Sequence, residues 1–121
     1  MNKKPCNRFK GIIANLPTPY HEDGSLNLKA LEKEIDYCVG LGVHGVACLL
    51  SSGTFTYMTE SERHEVIKVV LETVAGRVPV IAGVNASTTE GTIRFAETAF
   101  EAGISGGLIL PLSYWPLKAR E

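Results

Sequence analysis

Val46-Ala47-Cys48-Leu49-Leu50-Ser51-Ser52-Gly53-Thr54-Phe55-Thr56-Tyr57-Met58-Thr59 is the stretch on which the fold turns. An apolar run stops abruptly at two hydroxyl residues and a glycine, and a helix-start signal follows at Thr59-Glu60-Ser61-Glu62. In α/β proteins ligands bind where strands end at their carboxyl edge, so chemistry is to be sought here. Ser51 and Ser52 offer hydroxyl donors, and Gly53 lets backbone N–H groups come close to a small anion. A Ser-Ser-Gly turn that merely links a strand to a helix uses the same residues. The neighbouring segments have to decide.

Working outward, Gly11 to Leu16 reads as a buried strand stopped by Pro17 and Pro19, and Asp23-Gly24 is a strong turn pair. Asn27 can cap a helix whose Leu28, Leu31, Ile35 and Cys38 share one face, with Gly40 or Gly42 as its stop. Val43 to Leu50 is the second strand, apolar on both sides as a covered parallel strand should be. Thr59-Glu60-Ser61-Glu62 reads as a capping box, and Val66, Ile67, Val70, Leu71 and Val74 mark a helix ending at Gly76. Val78 to Val84 is the third strand. Ser87-Thr88-Thr89-Glu90 reads as a second capping box, opening a helix with Ile93, Phe95, Ala96, Ala99 and Phe100 that ends at Gly103. Gly107 to Leu110 is the fourth strand and breaks into Pro111-Leu112-Ser113-Tyr114-Trp115-Pro116.

The alternation β-α-β-α-β-α-β builds a parallel sheet through crossover helices. Two architectures fit: a small open doubly wound sheet, or part of a (β/α) barrel. No G-x-G-x-x-G or phosphate-loop pattern follows the first strand, which weakens the nucleotide-binding open sheet. Lys118-Ala119-Arg120-Glu121 falls where a fourth helix should be starting, so the sequence reads as cut.

Composition narrows the function classes. A net charge of −1 over 121 residues, without a dense basic run, offers no electrostatic case for nucleic acid or an anionic membrane. Every apolar stretch is interrupted short of a membrane span, and Pro5, Cys6, Asn7 and Arg8 stand where a secretory apolar core would be needed. Cys6, Cys38 and Cys48 are odd in number and lack metal-ligand spacing; Cys38 and Cys48 fit buried reduced thiols, and the expected compartment is the cytoplasm. No cluster suggests a metal. His44 and His64 read as structural or surface residues, His21 lies in the first loop without a partner for a dyad, and Asn85 could line the site or serve a turn.

Five segments in order resemble the dihydrodipicolinate synthase / N-acetylneuraminate lyase family of pyruvate-handling class I aldolases. They are Gly11 through Thr18-Pro19-Tyr20, Asp23-Gly24 with its helix, and Leu50-Ser51-Ser52-Gly53-Thr54-Phe55 continuing into Tyr57-Met58-Thr59-Glu60-Ser61-Glu62-Arg63. Pro79-Val80-Ile81-Ala82-Gly83-Val84 and Pro111-Leu112-Ser113-Tyr114-Trp115-Pro116 complete the set. The resemblance implies a (β/α)8 TIM barrel truncated to its first half, strands 1–4 with three crossover helices, with residues 1–121 as the N-terminal half of a single barrel domain. It implies a lyase or synthase in which a lysine amine condenses with the keto carbon of pyruvate or a related 2-oxo acid. The imine then serves as electron sink for making or breaking a carbon–carbon bond, with no cofactor. Carried over, Ser51 sits in the proton relay, and Ser52 with Gly53 binds the substrate carboxylate. Tyr114 is the tyrosine that reaches a neighbour's relay across a dimer interface, so the full-length form is expected to be a homo-oligomer.

Departures accompany the match. The family's glutamate after the glycine is Thr54, its glycine before the hydroxyl pair is Leu50, and the first tyrosine of its pair is Ser113. A lost carboxylate removes an acceptor that would steady the loop, while Leu50 adds bulk and narrows the backbone choices. The family's Schiff-base lysine and catalytic tyrosine lie on later strands; Lys10, Lys29, Lys33, Lys68 and Lys118 do not stand at a strand's carboxyl end. The expectations are therefore an enzyme half unable to perform aldol chemistry alone, or, alternatively, a non-catalytic half-barrel or small binding module that associates with a partner. Open edges at the first and fourth strands predict self-association. The second substrate is chosen mainly by residues beyond this chain.

Overall fold

The computed structural model describes residues 9–110, and Tyr114 and Lys118 lie outside them. Four short strands, β1 (Ile13–Asn15), β2 (Gly45–Cys48), β3 (Val80–Gly83) and β4 (Gly106–Leu108), alternate with three helices. The helices are α1 (Leu28–Gly40), α2 (Glu60–Val74) and α3 (Thr89–Ala102). Every strand pair is parallel and the spatial order is β1-β2-β3-β4, the order of synthesis. A doubly wound sheet of flavodoxin type reverses direction at a switch point, placing its second strand outside the first. This sheet never reverses, so it is an arc of a barrel wall.

Alternation along the strands separates the two faces. Val46, Cys48, Val80, Ala82 and Val84 pack with Leu31, Ile35, Val66, Ile67, Val70, Val74, Phe95 and Ala99 in one core between sheet and helices. The intervening positions, Ile13, Asn15, Gly45, Ala47 and Ile81, therefore point to the opposite, concave side. At the amino end of that side a Cβ on Gly106 would meet the Phe9 ring at 2.7 Å, so an aromatic from ahead of β1 lies against β4.

Caps explain the helix limits. Asn27 accepts from the Ala30 N–H with its side chain, and α1 ends at Gly40, with Leu41 as its cap and Gly42 turning the chain away at φ +85°. Thr59 and Glu62 form the expected capping box, each side chain bonding the other's N–H. The second box differs from expectation. Thr88, rather than Ser87, caps α3 and accepts from Gly91 N–H, so position N3 is a glycine with no side chain to reciprocate. α2 ends at Val74, two residues before its expected glycine, because Ala75 already adopts the left-handed conformation with φ 49°.

β1, β2 and β3 are shorter than the apolar runs that contain them, and β4 begins one residue before its expected Gly107 and stops at Leu108. β2 stops at Cys48 because Leu49, fully buried, is left-handed with φ 57° and turns the chain out of the ladder. Among the described residues no helix is long and apolar enough to cross a membrane. Apolar side chains are exposed at the flanks: Ile12 ahead of β1, Ile109 after β4, and Ile93 and Phe100 on α3.

Candidate functional site

The kink at Leu49 delivers the chain to the carboxyl end of the sheet, where Ser51–Gly53 forms one 3-10 turn and Phe55–Tyr57 another. Gly53 N–H donates to Leu50 O at 2.9 Å and Thr54 N–H to Ser51 O at 3.2 Å. Thr54 is left-handed, with φ 54°, and joins the two turns. Two left-handed non-glycine residues, Leu49 and Thr54, thus bracket the serine pair; each is a conformation that persists only where surroundings over-determine it.

The surroundings are visible. A Cβ on Gly83 would stand 2.0 Å from Leu49 O, so the end of β3 is shaped to accept the kink. On the other side Thr18 Oγ1 and Thr54 Oγ1 both donate to Gly53 O at 2.8 Å. Thr54 has spent its only hydroxyl proton there, so Tyr20 OH is the donor in its 2.9 Å bond to Thr54 Oγ1. Asn15 Nδ2 donates to Ser52 Oγ at 2.6 Å. The loop after β2 is therefore stitched to the exit of β1 by three side chains from that first segment: Asn15, Thr18 and Tyr20.

Beneath the loop lies Arg63, buried on α2. Its guanidinium carbon sits 3.8 Å over the Phe95 ring and 5.7 Å from the Phe55 ring, and Nη2 donates to Gly83 O at 3.4 Å. Nε has no hydrogen-bond partner among the described residues. Burial holds the Arg63 pKa below the usual arginine value, with Glu60 opposing the shift. His64, expected on the helix surface, is half-buried and packs on Phe95 with centroids 4.6 Å apart.

Both departures in the loop are absorbed locally. Leu50 has φ −91° and ψ −171°, extended backbone open to any residue, so no glycine is needed there. Thr54 steadies the loop through neutral hydroxyl bonds where a carboxylate was expected to do so. Gly53 enters chiefly as an anchor, its N–H and carbonyl both engaged. Ser51 and Ser52 are both exposed. Asn85, after β3, is buried and exchanges two bonds with the Leu110 backbone, which ties the exits of β3 and β4 together.

Thr18 and Tyr20 belong to a family-like segment whose part in holding the serine turn the sequence does not show, and Asn15 stands outside the sequence-based candidates. An asparagine closing an apolar strand, two residues before Pro17, was the available signal. Lys29 and Lys33 lie on α1 and Lys68 on α2, so among the described residues no lysine stands at a strand's carboxyl end. No group of three or more His, Cys, Asp or Glu able to hold a metal ion occurs among them either.

Residues 8–121 match the model of the dihydrodipicolinate synthetase family. The chain belongs to that family. It is 36% identical over 108 residues to a 4-hydroxy-tetrahydrodipicolinate synthase of Methanoculleus marisnigri, covering 88% of this chain and 37% of the relative. Identity is 40% over 102 residues to the enzyme of the same name from Thermus thermophilus, with 84% and 34% covered. A prophage protein of the dihydrodipicolinic acid synthase family from Escherichia coli K12, solved in complex with pyruvate, superposes with a TM-score of 0.84 at 30% identity. That match covers 91% of this chain and 37% of the other. The chain spans little more than a third of the length of these relatives, and its sheet matches the N-terminal half of the family's (β/α)8 barrel.

Proposed function

We propose that this chain carries the carboxylate-binding and proton-relay wall of a Schiff-base lyase or synthase site for pyruvate or a related 2-oxo acid. One observation carries the reading: the Ser51-Ser52-Gly53 turn is held at the carboxyl end of the sheet with both serines exposed, and Ser52 accepts a hydrogen bond from Asn15 on the concave face. A 2-oxo acid presents a carboxylate beside a ketone. Ser52 offers its hydroxyl and the N–H that precedes the first in-turn bond to the carboxylate. Ser51 stands in the relay that delivers a proton to the keto oxygen as it leaves as water on imine formation, with Tyr114, outside the described residues, extending it in an oligomer. Gly53 holds the turn in shape. Residues 1–121 form the N-terminal half of one barrel domain, and the amine that forms the imine comes from a strand of the other half. The apolar flanks at Ile12, Ile93, Phe100 and Ile109 are the surfaces the remaining staves cover.

Borohydride reduction in the presence of pyruvate, read by intact mass, tests the division of labour. The 121-residue polypeptide is expected to gain no adduct, and a stable adduct on it overturns the claim that the lysine lies elsewhere. Pyruvate titration followed by 15N chemical shifts tests the substrate. Saturable shifts clustered at Asn15 and Ser51–Thr54 are expected, and their absence at millimolar pyruvate removes the reading.

A further inference from the structure

Asn15 is the last residue of β1, on the concave side and in register with Ala47. Both Asn15 and Ser52 are exposed, so their 2.6 Å bond adds little to folding, because water offers either group a replacement. Its effect falls on the direction of a proton. A serine hydroxyl carries one proton and rotates freely until a neighbour fixes it. With one lone pair of Ser52 Oγ filled by the Asn15 N–H, the Ser52 proton has to point away from Asn15. A hydroxyl held in that sense is a donor, and a carboxylate is acceptor-only.

We propose that Asn15 is a positioning residue that sets Ser52 as a hydrogen-bond donor to the carboxylate of the 2-oxo acid. The inference rests on Ser52 being the carboxylate contact, as argued above. An aspartate at position 15 is nearly isosteric but accepts instead of donating. It would draw the Ser52 proton to itself and set a negative charge beside the substrate's own. Protonating that aspartate restores a donor.

The test is pyruvate titration of the 15N-labelled 121-residue chain, with far-UV dichroism to verify the fold, for wild type, Asn15→Ala and Asn15→Asp. Asn15→Ala should weaken binding about tenfold, the loss of one orienting hydrogen bond. Asn15→Asp should weaken it more at pH 7 and recover as the pH falls through about 4, the ordinary aspartate range, while wild-type affinity stays flat. A purely structural role produces no such recovery. Asn15→Asp binding like wild type at pH 7 overturns the positioning role and leaves the substrate reading standing. Wild type without saturable binding overturns the substrate reading, and this inference with it. If Asn15→Ala loses its native dichroism, the near-isosteric Asp variant and its pH profile decide alone.

Discussion

Gly83→Ala is the sharpest probe of how the serine turn is held. In the present backbone the added methyl would stand 2.0 Å from Leu49 O and 2.9 Å from Leu49 C. Relief to an ordinary contact of 3.4 Å requires the carbonyl to retreat by about 1.4 Å, the difference of those two values. Leu49 has nowhere to go: it is fully buried, already left-handed, and continuous with Leu50 and the turn. Overpacking typically costs about 1–3 kcal/mol, and backbone against backbone puts this case near the upper value. At about 4 °C per kcal/mol the expected fall in Tm is about 12 °C. Gly45→Ala is the control. Its methyl would lie 2.7 Å from Ile13 Cδ1, the tip of a side chain that can swing, and 3.2 Å from Pro79 O, so about 1 kcal/mol is expected. Urea unfolding followed by circular dichroism gives both values, with m unchanged. Amide shifts should spread across Leu49–Gly53 in Gly83→Ala and spare that segment in Gly45→Ala. A loss under 1 kcal/mol for Gly83→Ala, or a larger loss for Gly45→Ala, refutes the reasoning.

Thr59→Ala removes the acceptor for Glu62 N–H in the capping box and should lower stability by about 1 kcal/mol in the same unfolding assay, an unchanged midpoint counting against it. Burial pushes the Cys48 thiol up to about 12, and the thiolate is the nucleophile, so iodoacetamide at pH 8 should label Cys38 before Cys48 in the native chain. Equal labelling by peptide mass mapping would contradict the packing of β2. The Ser25 hydroxyl and N–H hold the Asp23 carboxyl below its usual pKa. A depressed folded pKa contributes stability above the unfolded value, about 3.9, that is lost as the pH falls through the lower folded one. A 13C titration of Asp23 with a midpoint at or above 3.9 refutes this bond in solution.

The order of elements was legible because punctuation in this chain is local. Asn27, Thr59, Gly42 and Gly103 act within one turn of themselves, so each helix carries its own start or stop. The barrel was legible from the resemblance, and the unreversed strand order agrees with it. What stayed hidden depends on distant partners. Leucine has no intrinsic preference for φ 57°, and Leu49 adopts it only because Gly83, far along the chain, lacks a side chain. Asn15 meets Ser52 across 37 residues because β1 and β2 share a register, which no local pattern announces. Ser87 and Thr88 offer equal capping chemistry, and only the path out of β3 chooses between them. His64 sits one position beyond Arg63 on α2, and the neighbouring Phe95 draws both onto one ring.

The unreversed strand order has a consequence for biosynthesis. Each stave lies beside the one translated just before it, so a nascent chain leaving the ribosome can zip the wall from one side without waiting for a distant segment. The growing edge moves outward with synthesis while the outer edge of β1 stays unpaired throughout, so what is made first is also what waits longest for its second neighbour.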